Sequence, residues 1–68
     1  MKIKCFNDTD TALVEFTDNQ VEETREISEN IYIDLDAKGN PVSMLIEHAR
    51  VTAHLPDITY QQIEKATA

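Results

Sequence analysis

The sequence predicts an α+β fold: a single antiparallel β-meander sheet of four to five strands, with a short C-terminal helix packed on one face. Three observations predict it. Short stretches alternate apolar and polar residues with a period of two, the period of a half-buried strand. Clusters of Asn, Asp, Thr and Gly separate these stretches at close intervals. A capping-box pattern is found near the C-terminus.

In the first strand Ile3 and Cys5 alternate with Lys2 and Lys4. This places Cys5 on the buried face with Ile3, where a packed thiol is expected. Asn7-Asp8-Thr9-Asp10 is a turn. Thr11 to Phe16 is a second strand, with Ala12, Val14 and Phe16 on one face. A turn at Thr17-Asp18-Asn19-Gln20 leads into Val21–Ile27, read as a solvated strand because seven residues are too few for a helix between two turn signals.

Ser28-Glu29-Asn30 connects to the clearest strand, Ile31 to Asp36. Ala37-Lys38-Gly39-Asn40 turns the chain, and Gly39, the single glycine, supplies a backbone angle that other residues resist. Val42 to Glu47 returns. A four-residue loop would set Leu35 against Val42, Ile33 against Met44 and Ile31 against Ile46, all six apolar and on one face. On the opposite face Tyr32 would meet Leu45. His48 to Leu55 reads either as a prolonged strand or as a helical turn. Thr59 as N-cap, Gln62 three residues on, and an Ile58–Ile63 staple predict a helix near 59–66. The expected core is Ile3, Val14, Phe16, Ile31, Ile33, Leu35, Val42, Met44, Ile46 and Ile63.

Composition narrows the function classes. At 68 residues the chain is one domain, 1–68, too short for a multidomain enzyme. Six Lys plus Arg against 13 Asp plus Glu give a net charge of −7, which repels a phosphate backbone and argues against nucleic acid. The longest apolar run, Met44-Leu45-Ile46, falls far short of the ~20 residues of a membrane span. One cysteine cannot form an internal disulfide, and the N-terminus has no apolar run behind its lysines, so a cytoplasmic location is expected.

Few residues are arranged for chemistry. Asp34-Leu35-Asp36-Ala37-Lys38-Gly39 begins like a calcium loop, but Lys38 occupies a ligand position and Leu45 stands where the bidentate Glu belongs. Glu47, His48 and His54 are a legal zinc set in type, although no spacing rule selects them. Ser28 and Ser43 have no adjacent base, and one glycine cannot build a phosphate loop. Glu22, Glu23, Glu26 and Glu29 read first as an edge strand protected by charge, and second as a docking surface for a basic partner.

In order along the chain, an N-terminal Met-Lys-Ile opening, the Asp10–Leu13 strand, Glu23-Thr24-Arg25-Glu26-Ile27, Ile31–Asp36 and Lys38–Ile46 resemble the prokaryotic domain of unknown function 2283, over about residues 1–50. Ser43 replaces the family's usual glycine, and the first turn is one residue short. The resemblance implies a small antiparallel meander with a variable C-terminal extension, here 51–68, and implies no activity.

The expected function is that of a small acidic non-catalytic protein-interaction module acting as a homodimer, without cofactor or catalytic residues. Tyr32 and Leu45 on the second face, with Glu22 and Glu26, are the expected partner-binding residues. The alternatives are an antitoxin-like neutralising partner of a small basic protein and a metal- or ligand-binding domain around Glu47, His48 and His54.

Overall fold

The computed structural model describes residues 1–65. Five strands are present: β1 (Lys2–Phe6), β2 (Thr11–Glu15), β3 (Glu23–Ser28), β4 (Ile31–Leu35) and β5 (Pro41–Glu47). One helix follows, α1 (Ala49–Ala53). All pairings are antiparallel, in the spatial order β1-β2-β5-β4-β3. The expected antiparallel α+β sheet is therefore present, built from a β1–β2 hairpin and a β3–β4–β5 meander. The two parts join where β5 pairs with β2. Strands β2 to β5 have the arrangement of a Greek key run in reverse, three consecutive strands with the preceding one returning beside the last.

The expected β4–β5 register holds at Ile31–Ile46, Tyr32–Leu45 and Ile33–Met44. It shifts at the turn, where Leu35 opposes Pro41 rather than Val42. A bulge there leaves Val42 unpaired with β4, and its carbonyl accepts from the Phe16 and Thr17 amides instead, at 2.8 and 3.2 Å. The turn is closed by Asp36, whose Oδ1 accepts from the Lys38 and Asn40 amides, both at 2.9 Å. Gly39 stands at φ +81°, with open space where a Cβ would lie. Gly39→Val is therefore expected to cost about 1–2 kcal/mol from backbone strain alone, and Gly39→Asn much less. Urea unfolding of the two variants measures the difference; equal stabilities would remove the strain account.

Pairing fixes two faces. Ile3, Val14, Met44 and Ile33 line up across one face, as do Cys5, Ala12, Ile46 and Ile31. The buried cluster lies here: Ala12, Val14, Ile46 and Ala49, with Phe16, Met44, Ala53 and Leu55 packed against it. Small side chains at Ala12 and Ala49, 0% and 3% exposed, let α1 approach the sheet closely. The loop before β2 holds the helix in place. Asp10 accepts from the Ala49 amide through its carbonyl (2.9 Å) and from the Arg50 amide through its carboxylate (3.1 Å).

Several expectations are corrected. The helix lies at Ala49–Ala53, and residues 59–65 form no helix. A capped single turn pays the nucleation cost without a packed face to offset it. Ile58, Tyr60 and Ile63 are 54%, 83% and 68% exposed, so Ile63 is no part of the core. Ile3 is also exposed, as is Cys5, because β1 is an edge strand beyond the reach of α1. Leu35 and Val42 are buried as expected, whereas the pivotal Ala12 and Ala49 were absent from the expected core.

Candidate functional site

The face opposite α1 carries two rows of side chains that run across all five strands. The first reads Lys4, Leu13, Leu45, Tyr32, Glu26 from β1 to β3. Its three central residues are apolar or aromatic and half-buried, and its ends are exposed and oppositely charged. The second row reads Lys2, Glu15, Ser43, Asp34, Thr24. Period-two geometry makes such rows inevitable once the register is fixed.

Within the polar row the hydrogen bonds converge on Asp34. The Ser43 hydroxyl donates to Asp34 Oδ2 and the Thr24 hydroxyl to Asp34 Oδ1, each at 2.6 Å. These two donors, Ser43 first, hold the Asp34 carboxyl below the usual carboxylate range. Glu15 is paired with Lys4 across the β1–β2 hairpin at 2.9 Å, and that hydrogen bond lowers its pKa. Asp36 is lowered by the turn amides, Asn40 ahead of Lys38, and by the Asn19 amide group at 3.2 Å. Glu23 is spent on Arg25, at 2.6 Å.

The expected partner-binding residues separate into two places. Tyr32 and Leu45 oppose one another directly, and Glu26 extends their row by one strand. Glu22 precedes β3, its amide on the Leu35 carbonyl at 2.8 Å. It lines an open hollow of about 410 Å³ with Asn19, Gln20, Asp36, Lys38 and Asn40. The sequence reading missed Lys4 as the row's other end, because only the non-local β2–β5 pairing carries the row to β1. It also missed the hydroxyl seat of Asp34, although the β4–β5 register already set Ser43 opposite.

The histidines are not gathered into a site. His48, at φ +52°, precedes α1, and its ring Nδ1 is 3.0 Å from Asn30 Oδ1. His54, at φ +57°, ends the helix. The two histidines thus flank the helix in the chain, and no group of three or more His, Cys, Asp or Glu among the described residues is placed to hold a metal. Asp34 and Asp36 likewise serve the hydroxyl row and the turn, rather than a shared calcium position.

A family model described as protein of unknown function (DUF2283) matches residues 2–50. The chain belongs to this family. The DUF2283 region contains all five strands and the first two residues of α1, so both cross-strand rows lie inside it. The expected resemblance over about 1–50 agrees with this span. No curated protein and no solved structure matches the chain. No helix among the described residues is long and apolar enough to cross a membrane.

Proposed function

We propose that this DUF2283 protein is a non-catalytic protein-interaction module that acts as a homodimer through the Leu13–Leu45–Tyr32 face. The observation that carries this reading is the position of that row. It crosses the centre of the sheet on the side away from α1. A sheet with an apolar centre on each face needs a layer against each, and α1 covers only one.

The thinness of the domain supports the same reading. Its extents are 35 × 32 × 20 Å, and none of its large side chains among the described residues is fully buried. The accessible surface is 5541 Å², about 1,200 Å² above the ~4,300 Å² expected of a compact 7.7 kDa chain. A standard interface removes about 800 Å² from each partner. The non-catalytic half of the reading is supported by the use of Asp34, Asp36, Glu15 and Glu23 in internal pairings.

Sedimentation equilibrium at micromolar concentration tests the reading. The expected mass is twice the chain's 7.7 kDa. Leu45→Asp is expected to weaken self-association by ~100-fold or more, because it sets unpaired charge into the contact. A wild-type protein with the mass of one chain would overturn the proposal.

A further inference from the structure

We infer that the two copies meet about a two-fold axis running along β5, so that Lys4 of each copy pairs with Glu26 of the other. The inference rests on the homodimer reading above and adds the symmetry and the charged contacts that fix it. The occupant of the face is a second copy of this chain, and charge complementarity selects it.

Two sheets related face to face by a two-fold rotation have their axis in the plane between them. The axis can run across the strands or along them. Across the strands, the row meets itself in the same order, which sets Lys4 on the partner's Lys4 and Glu26 on the partner's Glu26. Along β5, the row is reversed. Leu45 then meets the partner's Leu45, Leu13 meets the partner's Tyr32, and Lys4 meets the partner's Glu26 at both ends. The row is thus self-complementary in one orientation and self-repelling in the other.

The adjacent polar row carries one opposing contact. It brings Glu15 opposite the partner's Asp34, a like-charge pair that Lys4, 2.9 Å from Glu15, offsets. Lys4, with three donor hydrogens, can hold Glu15 of its own copy and reach the partner's Glu26 at once. Leu13, Leu45 and Tyr32 fill the centre, and the charged pairs lie at the rim, where they set orientation more than affinity.

A charge-swap cycle tests the axis. Within one chain Lys4 and Glu26 stand on opposite edge strands, four strand spacings or about 19 Å apart. That exceeds the screening length of about 8 Å at physiological salt, so coupling between the two positions must cross the interface. Self-association is measured by sedimentation for wild type, Lys4→Glu, Glu26→Lys and the double variant. Each single change is expected to weaken the dimer ~10-fold or more, and the double variant to return within ~3-fold of wild type. If Lys4→Glu folds poorly for want of its Glu15 contact, Lys4→Met and Glu26→Gln complete the same cycle. The double neutral variant should then dimerise as well as either single one. A dimer in which the two positions act additively would overturn the axis and leave the homodimer standing. A monomeric wild type would overturn both.

Discussion

Replacing Ile46 with alanine is expected to lower the thermal midpoint by about 10 °C or more. Ile46 is 6% exposed and is the largest side chain of the buried cluster, between Ala12 on β2 and Ile31 on β4, with Ala49 of α1 packed in the same cluster. Truncation loses the transfer free energy of the deleted carbons and leaves a cavity that its neighbours fill only in part. The sum is about 2–4 kcal/mol. A domain below 70–80 residues rarely has more than ~3–5 kcal/mol in hand, and each kcal/mol moves the midpoint of such a chain by about 4–8 °C. Melting followed by circular dichroism measures the shift. Ile63→Ala, which trims a side chain 68% exposed, is the control and should melt with the wild type. If the two variants melted alike, the cluster under α1 would not be the core.

The second large effect is expected at Asp34. Asp34→Ala strands the Ser43 hydroxyl, on a residue 8% exposed in the central strand, and frees the Thr24 hydroxyl at the edge. Leaving a buried donor without its acceptor costs about 1–3 kcal/mol. Asp34→Asn keeps one acceptor oxygen and should lose less. The carboxylate also makes stability depend on pH. The two hydroxyls depress its folded pKa, so the native state favours the charged form relative to an unfolded value near 3.9. That contribution is fully present above about pH 4–5, and is lost as pH falls through the depressed folded value. Urea midpoints taken from pH 7 down to pH 3 should therefore fall more steeply for wild type than for Asp34→Asn. Parallel curves would show that the hydroxyl seat does not favour the ionised acid.

Local pattern carried the strands and the faces; it did not carry what lies over them. Alternation put Cys5 on the same face as Ile3, which is correct, and the pairing sets it opposite Ala12. It could not show that β1 is an edge strand, and so the thiol is exposed. The β4–β5 register was legible because turn length and apolar spacing agreed, up to the bulge at Leu35, which depends on how Val42 serves the β2 side. The pairing of β2 with β5 joins residues some thirty positions apart and leaves no local mark. With it went the Lys4 end of the charged row. The packed helix was expected near Thr59 for a related reason, although a helical turn within His48–Leu55, where α1 lies, was one of two readings of that stretch. A capping box at Thr59 is a local signal, whereas α1 is held by Asp10 and flanked by His48 and His54 in left-handed conformations, which propensity disfavours. Tyr32 and Leu45 were legible as a pair from hairpin geometry, whereas Glu22 and Glu26 were chosen through their charge, and the place of Glu26 beside Tyr32 comes from the β3–β4 pairing.

The connection between β2 and β3 has a mechanical consequence. It runs across the end of the sheet, past β5 and β4, to the far edge. Between residues 18 and 21 no backbone-to-backbone hydrogen bond ties it to any strand among the described residues. A protease cutting there would leave every rung of the sheet in place. The products would be a hairpin and a meander carrying the helix, each with its local pairing intact and meeting along a single strand seam. The molecule is thus divisible at that point into two complementary pieces, a property that comes from the order of its strands rather than from any one contact.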